Sequence, residues 1–161
     1  MRAVVGNNYS VNVYRFTDSD WVKEAKLVSS GKGNDGFGFS VSVNGDVAIV
    51  GAWGTDADSG RESAGAAYVY RFTGSSWREE AKLTAGDAAM GDQFGRAVAI
   101  NGNVAIVGGP YDDAGLGSAY IFRYDGSSWR QDAKFSFNGT PPSAAYFGAV
   151  VAVEQNVALI G

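Results

Sequence analysis

One motif occurs three times in this chain, and a repeat of that length leaves few folds open. Tyr70-Arg71-Phe72, Gly74-Ser75-Ser76-Trp77 and Glu80-Ala81-Lys82-Leu83 return as Arg123-Tyr124, Gly126-Ser127-Ser128-Trp129 and Asp132-Ala133-Lys134-Phe135. An earlier copy reads Tyr14-Arg15-Phe16, Trp21 and Glu24-Ala25-Lys26-Leu27. The tryptophans at 21, 77 and 129 are 56 and 52 residues apart. Self-similarity at that period marks stacked supersecondary units such as propeller blades.

Each copy divides into four strand-like runs. In 94–100, Ala97 and Ala99 fall on one face and Val98 and Ile100 on the other, which suits a strand buried on both sides. Asn101-Gly102 follows, as Asn44-Gly45 does one copy earlier, and this dipeptide predicts a two-residue type I′ hairpin. The third copy has Glu154-Gln155 there, a poorer turn. The second run is 104–108, matched by 47–51 and 157–161. The third, 67–72, places Tyr68, Tyr70 and Phe72 on one face at period two. In the fourth, Trp77, Glu79, Ala81 and Leu83 share a face, and Arg78, Glu80 and Lys82 alternate with them. Charge on a last strand protects an edge from unwanted pairing, so the unit runs from buried hub to solvated rim. No helix is predicted: 77–90 contains helix formers, but its apolar positions keep period two and break at Gly86.

Gly6 aligns with Gly51 and Gly108, so the first strand of the chain is a second strand of its unit. The organisation expected is a single array. Residues 1–36 give strands two to four of an incomplete blade, 37–93 and 94–146 give full blades, and 147–161 give strands one and two of another. Such an array does not close a ring alone, since propellers have roughly four to eight blades.

Composition narrows the chemistry. Cysteine and histidine are absent, which removes disulfides, thiolate nucleophiles, imidazole bases and ordinary zinc sites. A net charge of −4 argues against a nucleic-acid surface, which needs clustered Lys and Arg. No run of apolar residues is long enough for a membrane-spanning helix, and the N-terminus lacks the apolar core of a signal peptide. Glycine is 23 of 161 residues and proline only 3, which fits short strands and tight turns rather than a disordered tract.

Phe37-Gly38, Phe94-Gly95 and Phe147-Gly148 each open a unit, and Gly51-Ala52-Trp53 and Gly108-Gly109-Pro110 each follow a second strand. With these landmarks the chain resembles a bacterial FG-GAP repeat array over essentially its whole length. The resemblance implies an all-β partial β-propeller of four-stranded antiparallel blades, akin to the integrin α head. It also implies recognition or scaffolding rather than catalysis, and a secreted or cell-surface location. Integrin-type repeats carry an aspartate-rich calcium loop between the first two strands. Here Asn44-Gly45-Asp46, Asn101-Gly102-Asn103 and Glu154-Gln155-Asn156 stand at those joints. A two-residue hairpin has too few oxygens for an ion that takes six to eight ligands, so that site is not expected.

Binding residues are sought in the second-to-third and fourth-to-first connections, which share one face of the disc. They are 7–10, 52–65 and 109–117, and 28–36, 84–93 and 136–146. They hold Asp35, Asp56, Asp58, Glu62, Asp87, Asp92, Asp112 and Asp113 against Lys32 and Arg61, so an acidic face is expected. The alternative is aspartates that close turns through backbone bonds, which Asp35 and Asp92 suit, each two residues before its Phe-Gly. Trp53 and Tyr111 follow the second strands and are read as a surface for stacking on a sugar ring or anchoring a protein, or as packing over the hub. A calcium ion, if one binds, is expected at Asp56, Asp58 and Glu62, where several carboxylates share one long loop. No other cofactor is expected. Periodic Trp21, Trp77 and Trp129 are read as structural.

The function expected is a non-enzymatic interaction module that self-associates, most simply as a dimer, to complete its blades. A structural piece of a larger propeller and a carbohydrate-binding module are the alternatives.

Overall fold

The computed structural model describes residues 1–31, 35–56, 62–140, 143–155 and 157–161. Its strands form four antiparallel sheets in chain order. β1 (Arg2–Gly6), β2 (Val11–Phe16) and β3 (Trp21–Leu27) make a three-stranded sheet. β4 (Val41–Asn44), β5 (Val47–Ala52), β6 (Ala66–Phe72) and β7 (Trp77–Leu83) make a four-stranded sheet, ordered as in the sequence. β8 (Ala97–Asn101), β9 (Val104–Gly109), β10 (Ser118–Tyr124) and β11 (Trp129–Ser136) make the next. β12 (Val151–Glu154) and β13 (Val157–Ile160) pair as the last. The fold is all-β, and its meandering sheets are partial β-propeller blades.

The sheets stack face to face. Tyr68 and Tyr70 of β6 point toward the preceding sheet and close a core with Val11, Val13, Leu27 and Phe37. Ala67 and Val69, on the other face, join Ile49, Phe94, Val107, Tyr120 and Phe122 in the next core. The first two Phe-Gly phenylalanines meet the aromatics of their own third strands edge-on: Phe37 with Tyr68 at 5.7 Å, and Phe94 with Tyr120 at 5.3 Å between ring centroids. The paired glycine ties the strands together. Gly38 N donates to Gly51 O at 2.9 Å, and Gly95 N to Gly108 O at 3.0 Å. Gly95 sits at φ 90°, and a Cβ there would lie 2.1 Å from Ala66 O, so only glycine fits.

The hairpin turns differ from the sequence expectation by one residue. Asn44 pairs with Val47 and Asn101 with Val104, so the loops are Gly45-Asp46 and Gly102-Asn103, not Asn-Gly. Gly45 and Gly102 have φ 58° and 55°, while Asp46 and Asn103 do not have positive φ, a type II′ pattern rather than I′. Packing between units explains the shift. Asn44 Oδ1 accepts Gly102 N at 3.1 Å, and Ser40 and Ser42 hydroxyls accept Val98 N and Ile100 N. The free edge of β8 is thereby satisfied by side chains of the unit before it. Gln155 adopts φ 51° at the corresponding turn, and Asn156 lies outside the described residues.

One short element was not predicted. Asp112–Gly115 forms a four-residue turn, α1, in which Asp113 and Ala114 take left-handed φ of 51° and 60°. It is a local reversal after β9 rather than a regular helix.

Candidate interaction surface

The loops expected to form an acidic face turn much of their acid inward. Asp35 is buried: its Oδ1 accepts Phe37 N at 3.1 Å, and its Oδ2 accepts the hydroxyls of Ser29 and Thr55, both at 3.3 Å. Asp92 is buried and accepts Ala89 N at 2.6 Å. Burial raises its pKa, and the charges of Asp112 and Asp87 add to that rise. The turn-closing explanation therefore fits both positions.

Asp112 is also buried and is not presented to solvent. Lys134 of β11 reaches over the loops, its Nζ 2.6 Å from Asp87, 2.7 Å from Asp112 and 3.6 Å from Asp113. Tyr120 OH donates to Asp112 at 2.9 Å and to Asp87 at 3.1 Å. Burial would raise the Asp112 pKa, but its bonds with Lys134, Ser118 and Tyr120 hold it below the ordinary value. Desolvation works against charged Lys134 as well, yet Asp112 and Asp87 keep it above the usual lysine value. Sequence reasoning missed Lys134 because it lies in the fourth strand, outside the loops searched.

Asp56, Glu62, Asp87 and Asp113 remain exposed. Asp56 Oδ1 accepts Ser63 N at 3.1 Å, which closes the loop. Asp58, Lys32 and Arg61 lie outside the described residues. Among the described residues no group of three acidic side chains is placed to hold a metal ion.

Trp53 and Tyr111 do come together, around a residue that the sequence did not single out. The Arg96 guanidinium carbon lies 5.2 Å from the Phe39 ring centroid, 5.7 Å from Trp53 and 5.5 Å from Tyr111. Tyr146 meets Tyr111 edge-on at 5.2 Å. Phe39, Tyr111 and Tyr146 are exposed, and Trp53 is half-buried against the backbone of Gly36. Arg96 donates to Gln93 Oε1 at 2.7 Å and makes no ion pair among the described residues. Cation–π contacts of this kind hold the row in one arrangement.

Two of the periodic tryptophans join neighbouring units. Trp77 Nε1 donates to Glu24 Oε2 of the preceding sheet at 3.0 Å, and Trp129 Nε1 to Glu80 Oε2 at 2.8 Å. Each glutamate is also gripped by an arginine of its own sheet: Arg2 Nε at 2.7 Å from Glu24, and Arg71 Nη2 at 2.9 Å from Glu80. The arginines lie over rings of the following sheet, Arg2 over Phe72 at 4.1 Å and Arg71 over Tyr124 at 5.0 Å. The Arg2 bond holds Glu24 below the ordinary carboxyl pKa. Burial would raise Glu80, but Arg71 and Trp129 outweigh it and keep it low as well.

A family model for the FG-GAP repeat matches residues 21–70 and 77–122, more than half of the chain. A comparison with curated proteins returns no match. The two matched spans take in Phe37-Gly38 and Phe94-Gly95, and with these pairs built into the hub of successive four-stranded sheets they give the conclusion that this chain belongs to the FG-GAP repeat family, a β-propeller-type interaction module.

Proposed function

We propose that the chain is a non-enzymatic interaction module that self-associates to complete its blades. The observation that carries this is the apolar face of β12–β13. Val157 and Leu159 are 62% and 67% exposed, whereas Val47 and Ile49, at the same places in the second unit, are 4% and 0% exposed. A cleft of about 500 Å³ lies on this face, lined by Ala152, Val157 and Leu159 among others. At the other end β1 offers Val5, 56% exposed, on the face turned away from the second sheet. Apolar faces of this kind, with open strand edges beside them, favour pairing with another chain. Sedimentation of the 161-residue chain tests this. A concentration-dependent pair of chains is expected, and a monomer throughout the micromolar range would refute it.

A second reading concerns a ligand on the loop face. Arg96 set among Phe39, Trp53 and Tyr111, with Tyr146 beside them, has the aromatic and arginine composition of binding hot spots. An acidic glycan or an acidic protein segment suits a guanidinium that has no carboxylate partner among the described residues. Glycan-array binding, compared between the parent and Tyr111→Ala, separates a sugar from a protein partner.

A further inference from the structure

The junctions between sheets share a pattern that is left half-finished at each end of the array. At the first junction Arg2 and Glu24 receive Phe72 and Trp77; at the second, Arg71 and Glu80 receive Tyr124 and Trp129. In both, the aromatic pair belongs to the following unit, with ring centroids 5.8 and 5.5 Å apart. The third unit repeats the receiving half. Arg123 Nε lies 2.6 Å from Asp132 Oδ2, but neither a ring over Arg123 nor an indole on Asp132 is present among the described residues. Their side chains are 59% and 48% exposed, against 32% and 19% for Arg71 and Glu80. The first unit repeats the donating half. Phe16 and Trp21 meet edge-on at 5.3 Å, both exposed, and among the described residues no arginine and no carboxylate lies on them.

We infer that Trp21 and Phe16 of a second copy of this chain clasp Arg123 and Asp132, so that the copies join head to tail. This rests on the reading that the chain self-associates and names the contact that makes it. Trp21 Nε1 donates to the Asp132 carboxylate, and the Phe16 ring covers Arg123. The fit is one of chemistry as well as place. A charged pair that is solvated at one end meets a donor and a ring that are unpartnered at the other. The carboxylate gains a charge-assisted hydrogen bond, and the guanidinium a ring face. A contact between two different surfaces closes a ring when the rotation permits, and two copies suffice for a two-fold pair. β1 and β13 hold the same place in their units, so one of them is displaced at each junction.

The test is sedimentation equilibrium of the full chain with Trp21→Ala and Asp132→Ala, separately and mixed. Both residues are surface-exposed, so each variant keeps its fold by circular dichroism. Each variant alone should weaken the pair by about tenfold or more, the worth of a hydrogen bond to a charged group at each junction. An equimolar mixture of the two should associate more tightly than either alone, because the mixed pair keeps one intact junction. A mixture no tighter than its components, or single variants as tight as the parent, overturns the clasp while leaving self-association standing. A parent that stays monomeric overturns both. Open polymers in place of a closed pair overturn the two-copy ring.

Discussion

Replacing Trp129 by phenylalanine removes one hydrogen bond between the second and third units while keeping an aromatic ring in place. The lost bond is the 2.8 Å contact from Nε1 to Glu80 Oε2. A hydrogen bond to a charged group contributes about 1.5–3 kcal/mol. Glu80 is 19% exposed and keeps Arg71, so water compensates in part and the low end applies. The smaller ring gives up some apolar contact as well, about 0.5 kcal/mol at about 25 cal/mol per Å². The expected cost is about 2 kcal/mol, or about 4–8 °C in Tm for a chain of this size. Glu80→Gln keeps an acceptor but removes the charge that Arg71 faces, at about 1 kcal/mol. The two changes share one contact, so the double variant should fall short of the sum by about 1 kcal/mol. Urea unfolding at one low protein concentration, where association adds nothing, supplies the values. Trp21→Phe is the reference at that dilution. Its indole has no acceptor among the described residues, so it should stay within about 0.5 kcal/mol of the parent. A coupling below about 0.3 kcal/mol between positions 80 and 129 would refute the clasp as an energetic contact.

Acid should weaken the array. Glu24 and Glu80 lie below the ordinary carboxyl pKa when folded, so their contribution is complete above about pH 4.3 and is lost as pH falls through their lower folded values. Asp92 opposes this, since its raised pKa is a cost at neutral pH that protonation relieves. Urea midpoints at pH 7, 5 and 3 should fall across the last interval, and less so in Glu24→Gln; a flat profile would contradict the shifts. Gly95→Ala forces a left-handed φ on alanine and sets its Cβ 2.1 Å from Ala66 O. Soluble yield and Tm should drop sharply, by several kcal/mol in stability, about the scale of backbone strain plus a clash, and a parent-like melting curve would show that the hub yields. Calcium should leave Tm unchanged relative to chelator, because among the described residues no three acidic side chains are placed to hold an ion that takes six to eight oxygens. A calcium shift abolished by Asp58→Ala would instead place an ion in the 52–65 loop, and one that survives would place it elsewhere.

Strand content and the four-stranded antiparallel sheets were legible in the sequence, because period-two patterning is local and the copies check one another. The hairpins were misplaced by one residue because Asn44 answers to Gly102 N of another unit, and no dipeptide preference reports that. Turn closure was readable at Asp35 and Asp92 from their place two residues before each Phe-Gly, whereas Asp112 was read as a surface acid and instead folds inward onto Tyr120 and Lys134. Tertiary structure alone decided the rest. Glu24 meets Trp77 across 53 residues and Glu80 meets Trp129 across 49. Both motifs were visible in every copy, but the sequence does not say whether a carboxylate turns to its own tryptophan or to the next. Stacking decides it, since the outer strand of one unit can reach only the face of the unit laid against it. Arg96 finds its rings for the same reason. Phe39, Trp53 and Tyr111 come from two units, and only their packing around the hub brings them within reach of one guanidinium.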